Sequence, residues 1–193
     1  VPSPFETSLT LSPPEILGRR MAPFSLGHAH LLEIAHSPFI GASKKVDAAD
    51  LILAAWICSF HAMEKARAAA AAALAGRIPK SVRTWGRKIG LDFNLNSEAT
   101  RLAGYIAQCT KPPRMVRREG AKALATPTAA TLAVLHRHYF HTPEKDAWNL
   151  PFLDALLDVV TYHHAQGWVE VISDKQADFI DAVAKERRKT NPT

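Results

Sequence analysis

The stretch Asp47-Ala-Ala-Asp50-Leu51-Ile-Leu-Ala-Ala-Trp56-Ile-Cys58-Ser-Phe60-His61-Ala-Met63-Glu64 decides the fold class. It is apolar almost all round at helical spacing, yet shorter than the roughly 20 residues a membrane-spanning helix needs, and Asp50, His61 and Glu64 flank or enter it. A helix of this kind belongs in the centre of a bundle or against a partner. Asp47 or Asp50 starts it, and the spacing predicts that it continues through Ala68 to Ala73 and stops near Gly76. The fold class that follows is predominantly all-α.

The rest of the chain supplies the helices around this one. Ser25 can cap a helix that carries Leu26, Ala29 and Leu32 inward and runs to about His36, before Pro38 turns the chain out. Pro79 opens a short basic helix with Val82, Trp85 and Ile89 on one face. Asn96 or Ser97 is expected to cap the next, with Leu102, Ile106 and Cys109 inward. Thr126-Pro127 reads as the start of a helix through Leu132, Leu135 and Tyr139. Asn149 to Pro151 starts an amphipathic helix with Leu153, Leu156, Leu157 and Val160 on its inner face, and Gly167 supplies a left-handed stop. Trp168 to Ile172 alternates like a short strand or hairpin arm, and Ser173 with Gln176 has capping-box spacing for a last helix. Ser12-Pro13-Pro14 resembles the start of a helix of about two turns. Residues 1–12 are expected to form an extended arm and 13–193 a single helical domain, an irregular multi-helix bundle of about six to eight helices with an internal boundary in the basic connector near 111–125.

At 193 residues, 47% hydrophobic and 22% charged, the chain is long enough to bury its own core without a disulfide or metal staple. Cys58 and Cys109 stand in apolar helical stretches and are expected to be buried free thiols. No leader-like pattern of charge, apolar run and small-residue cleavage site opens the sequence, so a bacterial cytoplasmic location is expected. The net charge of +6 favours acidic proteins or polyanions as partners. Much of the excess lies between Arg77 and Lys122, with Lys185 to Lys189 as a second basic cluster.

Motifs that would carry chemistry are missing. Of His136, His138 and His141, only the last two stand one helical turn apart, and neither HExxH nor a Cys/His ligand set occurs. There is no GxSxG elbow, Walker loop or dinucleotide-binding glycine fingerprint. Asp154 and Asp158 share a helix face without a third acidic ligand and read as solvent-facing. A non-enzymatic protein with no metal and no cofactor is expected.

Two parts of the chain resemble tail-assembly-chaperone-like proteins of tailed phages and prophages. One is Phe24-Ser-Leu-Gly-His-Ala-His-Leu-Leu-Glu-Ile-Ala-His-Ser-Pro-Phe39 followed by Asp50-Leu-Ile-Leu-Ala-Ala-Trp-Ile-Cys-Ser59. The other is Leu150-Pro-Phe-Leu-Asp154 with Gln166-Gly-Trp-Val-Glu170 and a final acidic-to-basic helix. The resemblance implies a helper in virion morphogenesis that binds the long helical tape-measure protein and keeps its apolar stretches from aggregating. The expected apolar contacts are Leu51, Trp56, Phe60 and Met63, and the expected basic contacts are Arg83, Arg87, Arg114 and Arg117. The alternatives are a basic nucleic-acid-binding helical module and a structural virion protein, with self-association open in each case and no membrane partner.

Overall fold

A computed structural model describes residues 12–41, 45–75, 80–89, 93–113, 115–117, 128–172, 175–180 and 182–183. Among these residues the fold is predominantly helical, with two short two-stranded sheets. The residues expected to form the N-terminal arm lie outside this set, apart from Ser12.

The first element corrects the sequence reading. Ser12-Pro13-Pro14 leads into an antiparallel hairpin of β1 (Glu15–Ile16) and β2 (Arg19–Arg20), not a helix. Leu17 and Gly18 take φ of 51° and 71°, and two left-handed residues in succession reverse the chain within the turn. Leucine is disfavoured there by its Cβ, so the conformation must be held from outside. The Leu17 amide donates to Glu98 Oε2 at 2.8 Å, while Ile16 and Leu17 are buried in the core.

Ser25 caps α1 (Leu26–Ile34) as its position suggests, with His28 completing the capping box. The start of this helix is joined to the start of α8 (Phe152–Ala165), distant in sequence. Leu26 and Gly27 amides donate to the Leu150 and Trp148 carbonyls at 3.0 and 2.8 Å, and the Phe152 amide donates to the Phe24 carbonyl at 2.8 Å. First-turn amides have no partner within their own helix, so each helix start here is satisfied by the chain leading into the other.

Asp47 caps the decisive segment, but the long helix expected from it is two helices, α2 (Ala48–Cys58) and α3 (Met63–Leu74). Composition favours continuity; tertiary hydrogen bonds end it. The Ala22 amide takes the Cys58 carbonyl at 2.8 Å, His28 Nε2 takes the Phe60 carbonyl at 2.8 Å, and Ser59 Oγ donates back to the Trp56 carbonyl at 2.8 Å. The last carbonyls of α2 are thereby committed elsewhere.

The short basic helix α4 is Lys80–Ile89. Asn94, two residues before the expected cap, caps α5 (Leu95–Thr110) because its side-chain oxygen reaches the Ser97 amide at 3.1 Å. The basic connector contributes β3 (Met115–Arg117), antiparallel to β4 (Val169–Val171), the strand read from the sequence. Thr128 caps α6 (Ala129–Tyr139), a four-residue α7 (Glu144–Ala147) follows, and residues 175–180 are helical. Gly167 stops α8 at φ 74°, as expected.

One large core gathers Ile16, Met21, Leu26, Leu32, Leu51, Ile57, Leu102 and Leu132 from the hairpin and helices α1, α2, α5 and α6, all essentially inaccessible. Cys58 and Cys109 are buried free thiols within it. Tyr105 bridges the extended segment before α1: its hydroxyl donates to the Ala22 carbonyl and accepts from the Phe24 amide, both at 3.1 Å.

Candidate functional site

Beside the main core lies a smaller apolar cluster, and it is built differently. Val82 of α4 is buried against Trp56 of α2 and Ala69 of α3, with Ile52, Phe60 and Trp85 packed around them. Trp56 meets Phe60 edge to face with ring centroids 5.4 Å apart and Trp85 at a tilt, also at 5.4 Å. From the hairpin, Arg19 lays its guanidinium 4.1 Å from the centre of the Trp56 ring, 5.3 Å from Trp85 and 5.8 Å from Phe60. A guanidinium over aromatic faces is attracted by the ring quadrupoles and sheds less hydration than an ammonium would. Partial burial lowers the Arg19 pKa from its ordinary value, far too high for the side chain to lose its charge near neutrality.

Past the seam, the same apolar face of α4 borders an open cavity of about 640 Å³, lined by Trp85, Ile89, Phe93, Leu17, Glu15 and the Glu98–Arg101 pair, whose N–O distance is 2.8 Å. The apolar face of α4 is thus packed on α2 at Val82 and borders open space at Trp85 and Ile89.

The four apolar residues singled out from the sequence fall into two groups. Leu51 is completely buried in the main core, and Met63 is 4% exposed with its sulfur 3.8 Å from Ser25 Oγ, so both are committed to internal packing. Trp56, 8% exposed, and the half-buried Phe60 form the wall of the seam under α4. Of the four basic residues, Arg83 and Arg87 lie on the exposed face of α4, one turn apart. Arg114 lies outside the described residues, and for Arg117 only its place at the end of β3, paired with Val169, is described. Arg19, Ile52, Val82 and Trp85 complete the seam. The 3.6-residue spacing pointed to Val82 and Trp85, whereas nothing local in Arg19-Arg20 announces a contact with α2.

The histidines divide between structural roles and the surface. His28 Nδ1 accepts from the Ser25 amide at 3.1 Å, which leaves its Nε2–H to donate to Phe60 at 2.8 Å. Burial, as the main cause, pulls its pKa down to about 4, with the nearby His61 charge acting in the same direction and the Phe60 bond opposing. His136, also buried, donates from Nε2 to the Ala155 carbonyl at 3.0 Å. Burial pushes the Cys58 thiol well up and Cys109 up to about 12, which keeps both protonated and poorly nucleophilic. Among the described residues no group of three His, Cys, Asp or Glu side chains converges as a metal site would require.

No protein-family model, curated protein or solved structure matches the chain. Among the described residues no helix is long and apolar enough to cross a membrane. The seam between α2 and α4, with Arg19 across its rim, is therefore characterised by its own geometry: a helix seated by an aromatic-aliphatic stripe on the surface of two others.

Proposed function

We propose that this chain is a non-catalytic binding protein of the phage tail-assembly-chaperone kind, a cytoplasmic helper that holds an apolar helical stretch of a tape-measure-like partner during virion morphogenesis. The observation that carries the reading is the α2–α4 seam, in which an amphipathic helix lies on an apolar surface outside the main core. Helix-in-groove recognition uses the same elements: a ridge of large apolar side chains and an amphipathic helix with anchors at three- and four-residue spacing. The arrangement of the segments that carry the family resemblance lends support. Phe24 to Gly27 and Trp148 to Phe152 are hydrogen-bonded to each other, and α2 shares their core, so the first resembling part and the start of the second are joined in one scaffold.

The test is co-expression with the tape-measure protein of the same gene neighbourhood, followed by affinity capture in increasing salt. Retention of the partner through about 1 M NaCl is the expected result, because apolar burial is maintained or strengthened by salt. A second reading, nucleic-acid binding, draws on Arg83 and Arg87 at the surface of α4. It predicts capture of nucleic acid that collapses between about 50 and 200 mM salt as counterions compete. Failure to retain the tape-measure protein at any salt overturns the proposal.

A further inference from the structure

We infer that α4 is a resident cover: it occupies the docking strip formed by Ile52, Trp56 and Phe60, and an amphipathic helix of another chain takes its place when α4 swings away. The inference deepens the protein-binding reading and rests on it for the identity of the natural partner, though not for the motion of α4.

Three observations combine. First, Ile52, Trp56 and Phe60 recur every four residues along α2 and just past its end, which aligns them as a ridge, and it is this ridge that α4 covers. Second, α4 is attached through a small cluster. Among its described side chains Val82 is the buried anchor, Trp85 and Ile89 reach only the margin of the main core, and these two also line the open cavity of about 640 Å³. A helix held by few buried contacts beside open volume opens more readily than one packed on several sides, as α8 is. Third, the cross-tie over the seam is non-covalent and reversible: Arg19 stacks on Trp56 and Phe60 below and on Trp85 of α4 above. When α4 leaves, Arg19 stays on the hairpin at the rim of the exposed strip, ready to stack on an aromatic side chain of the incoming helix.

The occupant is specified by what sits there now. α4 presents Val82, Trp85 and Ile89, a spacing of three and then four residues with an aromatic ring in the middle, while Arg83 and Arg87 face outward. The partner segment is accordingly an amphipathic helix with the same apolar spacing and a Trp, Phe or Tyr at the central position, within reach of Arg19.

Two measurements on the full chain test this. In hydrogen–deuterium exchange, the amides of α4 are expected to exchange at least about 100-fold faster than those of α8, by local opening. Arg19→Ala should accelerate α4 by a further ~threefold while leaving α8 unchanged, and Arg19→Met, which keeps the side-chain stem, should do the same. Exchange of α4 in step with α8 overturns the inference.

The second measurement uses a fluorescein-labelled, side-chain-stapled helical peptide with the sequence of residues 80–89. It is expected to bind the Val82→Asp chain at least ~tenfold more tightly than the wild type, because the substitution weakens the resident helix and leaves the strip intact. Phe60→Ala added to that variant should reduce peptide binding again. Unchanged amide protection of α8 in the exchange experiment shows that the variant is folded, and absence of peptide binding to that folded chain overturns the inference. Fast α4 opening and peptide capture without retention of the tape-measure protein would uphold the cover and reject the proposed partner. Retention of that protein with α4 as protected as α8 would do the reverse.

Discussion

The junction of α1 with α8 and the seam of α2 with α4 both bring together segments that the sequence separates, but by opposite means. At the junction, backbone amides of Leu26, Gly27 and Phe152 find carbonyls of the other segment, and His28, in the first turn of α1, ties the Ser25 amide to the Phe60 carbonyl beyond α2. These bonds are directional, and each one broken away from solvent leaves an unsatisfied group. At the seam, Val82, Trp56, Phe60 and Trp85 meet through apolar area, with one stacked cation. Such contacts accept any side chain of suitable shape. A junction of the first kind specifies a unique structure, whereas a seam of the second kind can exchange one occupant for another.

The largest expected effect separates the core from the seam. Leu51→Ala empties a fully buried site in the main core and should cost about 3 kcal/mol in urea unfolding, as buried leucine truncations do. Val82→Ala removes less volume at a site bordered by surface and should cost about 1 kcal/mol, seen mainly as faster exchange within α4. Equal costs, with equal loss of protection throughout the chain, would mean that seam and core are one cooperative unit.

Acid should act almost as strongly, through His28 in the first turn of α1. The His28 pKa is near 4 in the folded chain against an ordinary 6.5, so between these values the unfolded chain binds the additional proton. Stability is therefore expected to be constant in this group's contribution above pH 6.5 and to fall as the pH drops towards 4, by about 3 kcal/mol in total. A His28→Asn variant should be less stable at pH 7 but show a flatter profile over that interval. An unchanged slope in the variant would assign the acid sensitivity to other groups.

Gly27→Ala tests the closeness of the same junction. A Cβ at Gly27 would lie 2.9 Å from both the Trp148 carbonyl oxygen and Met63 Cγ, closer than packed atoms come. Met63 is flexible enough to give way, but the carbonyl is held by the Gly27 amide itself. A loss of about 2 kcal/mol in chemical denaturation is expected, despite alanine's higher helix propensity. A gain in stability would show that the backbone at Trp148 can retreat.

Local chemistry was legible where a bond closes within a few residues. Ser25 and Asp47 cap the helices assigned to them, and Gly167 ends α8, because the partner of each lies three or four positions away. The division of α2 from α3 was not legible: residues 59–62 are acceptable in a helix, and the donors that end it come from Ala22 and His28. The hairpin was concealed because its turn uses Leu17 in a left-handed conformation that leucine does not advertise. β3 was missed because its partner β4 lies more than 50 residues away. At the site, an all-round apolar helix has no face to read, so Leu51 in the core could not be told from Trp56 in the seam. Arg19 carried no signal at all, since its three aromatic neighbours come from other elements.

The smallest expected effect is the coupling between Arg19 and Trp85. It is also the most specific to the seam. Truncating either residue removes apolar area as well as the stack, so neither single variant measures the attraction; a double-mutant cycle of Arg19→Ala and Trp85→Leu does. With the guanidinium partly exposed and 5.3 Å from the ring centre, the coupling should be about 0.5 kcal/mol. Trp56 lies closer, at 4.1 Å, and remains in the double variant, so the cycle isolates the part of the stack that reaches across to α4. A coupling measurable by exchange within α4 and absent from global unfolding is what a tie between a scaffold and a separable helix produces. A coupling of zero would reduce Arg19 to a neighbour of the seam and leave the burial of Val82 and Trp85 as the whole of what holds α4 down.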